Sequence, residues 1–501
     1  MMLGQKRSRV GWAGLVVLAV GTCAAVGEKQ PQPWVQLKLE DLGIPAISAS
    51  FLQAGASMLT VNLLDDTHLL VTYGERGLVP RVEGDPESHE DRMVGAAVVE
   101  LPTGKVLART DWHMHDHGRY LWSLGRGRFL VRMGDMLYTM TPLANLGAAE
   151  PLQRTTFGGP RAQPRAVLVS QDGGLLTIET ERELPKVQRT VVFGDEAKNA
   201  SPNTVTLVEF YRVSGDGSAA SPLELTQAGK VASDRPFLLP VDADGYLWAE
   251  PLDASRWVVT FDGFGGKTLD VGKIDSSCDP RLEMVSPAEF VALTCQGTDD
   301  KLKLASYGLD GKETWEEMVS ENGPPTLAYA PAAGRFAYSR MWEGSAGPAS
   351  DPTLPQTTTH QEVRVYQNAS GDLLLKLACD PIFKTGENFD LSADGLEVVV
   401  VRGASIAVYK LPPPTKRDRE DMAEVAKFAP PASLAMVDLK RLAVKPAAAA
   451  VVASAPVAGG ANEVGAPVAS GGDAEPKRKP PTLLLPGEKA EFSPKKTAGQ
   501  Q

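Results

Sequence analysis

Three of the six histidines in this 501-residue chain stand within five residues of one another, in Trp112-His113-Met114-His115-Asp116-His117-Gly118. Three imidazoles and a carboxylate are the donors that zinc, copper and nickel accept. In an extended segment His113, His115 and His117 share one side, because side chains alternate along a strand. His113, His115, Asp116 and His117 are therefore the candidate metal ligands, set against imidazoles that are merely hydrogen-bonded on a loop or sheet edge. The loop from Glu83 to Asp91 holds Asp85, Glu87, His89, Glu90 and Asp91. It lacks the ordered Asp-x-Asp-x-Asp-Gly spacing of a calcium loop and reads as a solvated acidic loop. The sequence contains no Gly-x-Ser-x-Gly elbow, no Walker phosphate loop and no His-Glu-x-x-His helix, so it assigns no catalytic residue and no cofactor.

The four cysteines carry a second chemistry. Cys23 lies in an apolar leader. Cys278 precedes one apolar run (Arg281 to Val285) and Cys295 ends the next (Phe290 to Cys295), with Ser286-Pro287-Ala288-Glu289 between them. Folding that hairpin about its turn brings the two sulfurs opposite each other, which predicts a Cys278–Cys295 disulfide in an oxidising compartment. Buried thiols are the alternative, and Cys379 is left over.

The elements that would position these groups are strands. With 48 glycines, 38 prolines and little helical periodicity, the chain is all-β, and one pattern recurs: a small or acidic turn followed by an apolar run. It starts at Asp65, Gly125, Gln171, Asp253, Pro287, Ala332 and Ala393, the last leading into Leu396-Glu397-Val398-Val399-Val400-Val401. Asp242-Ala243-Asp244-Gly245-Tyr246-Leu247-Trp248 repeats the theme inside the longest gap. Glycine turns at Thr103-Gly104, Ser214 to Gly217, Leu309 to Lys312 and Asn368 to Gly371 join further strand pairs. A meander repeating every ~40–60 residues is the signature of a propeller blade. The sequence thus predicts a β-propeller of seven blades, with six or eight as alternatives. It also predicts ring closure by pairing of Trp34–Leu39 or Leu59–Leu63 with the strand around Ala407-Val408-Tyr409.

On these repeats, chiefly Ser392-Ala393-Asp394-Gly395, Ser170-Gln171-Asp172-Gly173 and Thr103-Gly104-Lys105, the chain resembles bacterial secreted WD-repeat-like and quinoprotein-like propellers over residues 34 to 411. Gly311-Lys312-Glu313-Thr314-Trp315 resembles the Gly-Lys-x-x-Trp docking repeat of the quinoprotein group, which implies that Trp315 packs between neighbouring blades. The histidine cluster is one residue short of the His-x-His-x-Asp-His motif of metallo-β-lactamase-like hydrolases.

The ends differ from the body. Lys6, Arg7 and Arg9 precede an apolar run from Val10 to Gly21 and small residues Ala25-Val26-Gly27, so residues 1–27 read as a signal peptide. The run is shorter than the ~20 residues that cross a bilayer, and no transmembrane helix is expected in the mature chain. Export to a periplasmic or extracellular space follows, with a lipoprotein anchored at Cys23 as the alternative. Residues 28–411 form the propeller domain, and 412–501, rich in Ala, Pro and Gly, form a tail expected to be disordered, with one or two charged helical turns between Lys416 and Phe428. Both ends carry +3, so the body carries −17 of a net −11. That acidity excludes a nucleic-acid partner. The expected role is a non-enzymatic binding or scaffold module for a protein, peptide or glycan on one propeller face. The alternative is a propeller enzyme, a quinoprotein-type oxidoreductase or a metal-dependent lyase or hydrolase.

Overall fold

Val398, Val399, Val400 and Val401 are all fully buried. Since alternate residues of a strand face opposite ways, both faces of this strand must lie against other sheets. A computed structural model shows how. It describes residues 31–44, 59–75, 92–114, 119–133, 136–148, 152–154, 164–183, 204–217, 221–233, 240–242, 244–297, 301–319, 326–345, 356–379 and 387–428.

The described strands form seven four-stranded antiparallel sheets. Blade 1 comprises β2 (Leu59–Asp65), β3 (His68–Gly74), β4 (Arg92–Glu100) and β5 (Lys105–Met114). Blade 2 has β6 (Leu121–Ser123), β7 (Phe129–Met133), β8 (Met136–Met140) and β9 (Gln153–Arg154). Blade 3 has β10 (Pro164–Val169), β11 (Leu175–Glu183), β12 (Thr204–Ser214) and β13 (Glu224–Ser233). Blade 4 has β14 (Val241–Asp242), β15 (Gly245–Pro251), β16 (Arg256–Gly263) and β17 (Thr268–Asp275). Blade 5 has β18 (Arg281–Ser286), β19 (Glu289–Gln296), β20 (Lys301–Gly308) and β21 (Glu313–Val319). Blade 6 has β22 (Thr326–Ala330), β23 (Arg335–Ser345), β24 (Gln356–Gln367) and β25 (Asp372–Ala378). Blade 7 has β26 (Phe389–Leu391), β27 (Glu397–Arg402) and β28 (Ser405–Lys410), completed by β1 (Val35–Lys38). The protein is a seven-bladed β-propeller.

Closure uses the first of the two segments expected from the sequence. β1 pairs antiparallel with β28, Val35 opposite Val408 and Leu37 opposite Ile406, so the first and last described strands share a sheet. This removes the open edge that an unclosed ring would expose.

Six of the seven recurring turns join the first and second strands of blades 1, 2, 3, 5, 6 and 7. Asp253 does not: its turn links β15 to β16 inside blade 4. The equivalent turn of that blade is Asp242 to Gly245, where Asp244 N–H donates to Asp242 Oδ1. Both segments belong to one blade, and the count stays at seven. The mimicry is local chemistry: Ser255 N–H donates to Asp253 Oδ1 in the same Asx geometry.

The hydrophobic core is not a single mass on the axis but seven clusters, each shared by two adjacent blades. Fully burying each Val, Leu or Phe contributes ~1.5–3 kcal/mol, so the ring is held by its radial seams. Glycine turns let neighbouring backbones close those seams. At Gly173 (φ +68°) an added Cβ would stand 1.9 Å from the Leu124 carbonyl oxygen of blade 2, a contact only glycine avoids. Arg335, 1% exposed, donates to Gln367 Oε1, to the Gly395 carbonyl of blade 7 and to the Pro412 carbonyl. Arg128 bridges blades 2 and 3 in the same way through the Gly215 carbonyl. Beyond β28 the helical turns expected over 416–428 are present: a helix at Lys416–Val425, capped by Thr415, and a 3-10 turn at Ala426–Phe428. Met422 of that helix lies against Gln367 of blade 6. Residues 1–27, expected as a signal peptide, with Cys23, and the residues beyond 428 lie outside the described residues.

Candidate functional site: the axial cavity

The innermost strand of every blade, β2, β6, β10, β14, β18, β22 and β26, contributes to the wall of one cavity of about 510 Å³. Because every sheet is antiparallel and begins at this wall, two kinds of connection reach opposite faces. First-to-second and third-to-fourth turns lie on one face. Described second-to-third connections, such as residues 252–255 of blade 4, and the starts of the innermost strands lie on the other.

Four charged groups stand where the innermost strands begin, Arg119, Arg281, Glu283 and Glu387, and Asp65, Asp66, Arg126 and Asp172 stand at the turns that follow these strands. Arg119 precedes β6 and Glu387 precedes β26, and the Arg119 Nε stands 2.9 Å from Glu387 Oε1 across two blades. Their neighbours fix them. Tyr120 is fully buried, its hydroxyl 2.6 Å from Thr72 Oγ1, which in turn lies 2.7 Å from Thr60 Oγ1. Asn388, also fully buried, makes a reciprocal amide pair with Gln361 at 2.9 and 3.0 Å. Each charged side chain thus follows or precedes a residue locked into a seam between blades. Such locking holds a polar group in place without the entropy cost of ordering it later.

On β18, Arg281 and Glu283 share the cavity side because Leu282 between them packs into the seam between blades 4 and 5. Their closest atoms, Arg281 Nε and Glu283 Oε1, are 3.6 Å apart. Tyr329 of β22 is hydrogen-bonded to Glu283. Burial raises the Glu283 carboxyl, with Arg281 opposing. Burial also pushes the Tyr329 phenol well up, and the Glu283 charge adds to it. Asp390 of β26 accepts 2.8 Å hydrogen bonds from the Leu63 and Leu391 N–H groups, yet burial pushes its carboxyl up to about 7. Trp122 lines the cavity beneath Arg119, whose guanidinium lies 5.7 Å from the ring centroid.

Of the candidate metal ligands singled out from sequence, only His113 is among the described residues. His113 sits near the end of β5, the outermost strand of blade 1, away from the cavity wall. His115, Asp116 and His117 lie outside the described residues, as does the Glu83–Asp91 loop. Among the described residues no group of three or more His, Cys, Asp or Glu is placed to hold a metal ion. Cys278 and Cys295 stand with Cα atoms 5.6 Å apart and sulfurs 2.00 Å apart, while Cys379 is a buried free thiol. Trp315 packs where its resemblance implies: on β21 of blade 5 it stacks against Tyr366 and Phe336 of blade 6 and donates its indole N–H to the Asn368 carbonyl.

Arg119, Arg281, Glu283, Tyr329 and Glu387 carry no motif. They come from four different blades, or the crossings that lead into them, and only ring closure brings them together. The available signal was positional: a charged residue at the start of an innermost strand, beside a Tyr or Asn anchor.

The fold and site define a closed seven-bladed propeller with a charged axial cavity. No protein-family model matches the chain, and no curated protein matches it. Among solved structures it is similar to an oligogalacturonate lyase in complex with manganese, with 10% identity over 72% of this chain and 98% of that one, TM-score 0.38. It is also similar to the acylaminoacyl peptidase of Pyrococcus horikoshii, at 10% identity, covering 74% of this chain but only 55% of the peptidase, TM-score 0.40. Prolyl oligopeptidase B from Galerina marginata matches at 11% identity over 66% of this chain and 44% of that one, TM-score 0.38.

Proposed function

We propose that this chain is an exported, non-enzymatic binding propeller whose axial cavity receives a polar portion of a protein, peptide or glycan. The observation that supports this is the mutual engagement of the cavity's polar groups, Arg119 with Glu387 and Glu283 with Tyr329 across blades, and Glu283 with Arg281 along β18. Groups held in fixed hydrogen-bonding orientation suit recognition. Export is supported by the basic and apolar leader of residues 1–27 and by the pairing of Cys278 with Cys295. Sequencing the N-terminus of the purified protein tests it: a start near Glu28 is expected, and a lipid-modified Cys23 or an intact Met1 would contradict free export.

The binding reading is tested by screening the full chain and the Arg119→Ala and Glu283→Gln variants against peptide and glycan collections. Binding that both variants weaken supports it. Binding indifferent to both, or no binding, refutes it. A metal-dependent enzyme would instead draw on His113, His115, Asp116 and His117, and stoichiometric zinc, copper or nickel in the purified protein, lost on substituting them, would favour that reading.

A further inference from the structure

We infer that the axial cavity takes the lysine or arginine side chain of a peptide segment, entering from the face of the first-to-second turns, an inference that rests on the binding reading above and names its ligand. The wall carries six carboxyl groups against three guanidinium groups. Two of each match one another where the innermost strands begin, Arg119 with Glu387 and Arg281 with Glu283. The remainder is uneven, because Asp65, Asp66, Asp172 and Asp390 stand against Arg126 alone. Among the described residues none of these four carboxyl groups has a lysine or arginine within ion-pair distance, and Asp65 has only His68, at 2.9 Å. Behind the turn-face rim Arg128 and Lys410 are matched by Asp394 and Glu397. The cavity therefore holds an excess of negative charge, which a cation offsets and which a ligand carboxylate or phosphate would increase.

The excess is placed along the axis at a side chain's reach. Asp390 Oδ2 accepts from the Leu63 N–H, which sets this carboxyl level with Leu63 of β2. Asp65 and Asp66 follow at the turn end, with Asp65 roughly 7 Å further on at ~3.3 Å per strand residue. An extended lysine side chain is about 6 Å long, so a lysine whose backbone lies at the Asp65–Asp66 rim brings its ammonium to Asp390. Each oxygen of Asp390 already accepts one backbone N–H and keeps a lone pair for a further donor. Burial holds this carboxyl up at about 7, with no positive group of the protein to offset it. A cation at that depth supplies the offset. Entry from the opposite end would bring it past Arg119 and Arg281 first. The volume of about 510 Å³ admits a side chain or two and excludes a folded domain.

The test titrates the full chain, by calorimetry, with acetylated and amidated pentapeptides that carry a central lysine, arginine, glutamine or glutamate among glycines, and with spermidine and maltotriose. The lysine or arginine peptide should bind, and the glutamine and glutamate peptides should not. Arg126 lies between Gly125 and Gly127, all three with left-handed backbone (φ 54° at Arg126), so Arg126→Gly removes the rim's one cation without backbone strain. It should tighten binding severalfold. Asp390→Asn should weaken it about tenfold, as expected for the loss of one charge-assisted hydrogen bond. Misfolding does not tighten binding, so the opposed pair separates lost charge from lost structure. Preference for the glutamine or glutamate peptide, or binding that Arg126→Gly weakens or leaves unchanged, overturns the inference. Spermidine binding without either basic peptide also overturns it, making the ligand a free polyamine. Maltotriose binding that Arg119→Ala weakens, with no peptide bound, overturns the cation but keeps the binding reading. No binding to these probes or to the collections above overturns both.

Discussion

Asp242 ends the innermost strand of blade 4 at 1% exposure, with its carboxylate accepting from the Asp244 N–H at 3.0 Å and from Gln171 Nε2 of blade 3 at 2.8 Å. Burial nevertheless outweighs these bonds and pushes the carboxyl up to about 6 from an ordinary 3.8, with Asp172 and Asp244 adding to it. The folded chain therefore holds this proton more tightly than the unfolded chain does. Its contribution to stability is fully present below pH ~3.8, declines as pH rises, and is lost above pH ~6. The span between 3.8 and about 6 corresponds to ~3 kcal/mol. Asp242→Asn mimics the neutral acid. A half-turn of the Gln171 amide then lets its Oε1 accept from the new Nδ2, so one hydrogen bond between blades 3 and 4 is kept while Oδ1 goes on accepting from the Asp244 N–H. Chemical unfolding of the variant and the wild type from pH 4 to pH 8 is the assay. The variant should gain about 3 kcal/mol at pH 8, about half that at pH 5, and about 0.5 kcal/mol at pH 4. A gain that does not vary with pH, or a loss at pH 8, would refute the reasoning.

Other outcomes follow from the seams and the ring closure. Gly173→Ala combines a left-handed backbone with a contact on the Leu124 carbonyl and should cost about 2–5 kcal/mol in unfolding free energy. Gly266→Ala has a similar φ and open space around it, so it should cost only the ~1–2 kcal/mol backbone term. Trp315→Ala should cost about 3–5 kcal/mol by emptying the stack between blades 5 and 6, and Trp315→Phe appreciably less. Val35→Asp places a charge in the closing strand opposite Val408 and should cost at least ~3 kcal/mol, with increased proteolysis as a second readout. Cys278→Ser/Cys295→Ser should lower stability by about 3 kcal/mol, the scale expected for a loop of 17 residues. Intact mass of the wild type should be two hydrogens short of its reduced form, and an unchanged mass on reduction would show free thiols.

The local signals were strong wherever a strand's neighbours in sequence are also its neighbours in space. Ser170-Gln171-Asp172-Gly173 and Ser392-Ala393-Asp394-Gly395 fold as the same turn, the serine hydroxyl donating to the aspartate and receiving a backbone N–H two residues past the glycine. Such turns, followed by runs like Val398 to Val401, pointed to the meanders and to seven blades without reference to anything distant, while the closing partner of β28 was left between two segments until the ring itself selected Val35–Lys38. They also misled once, because Asp253 makes the same Asx bond in a different turn of its blade.

What only the tertiary structure decided is the site. A hydrogen-bonded turn is complete within five residues, so its chemistry is written in their order. The axial cavity is assembled from residues before and within the innermost strands of different blades, and their proximity follows from the pitch of the ring and its closure by β1. Arg119 and Glu387 face each other because Tyr120 and Asn388 are anchored in separate seams. Nothing in either local sequence specifies the other. The spacing of His113, His115 and His117 was legible for the opposite reason: it is a local fact of the sequence.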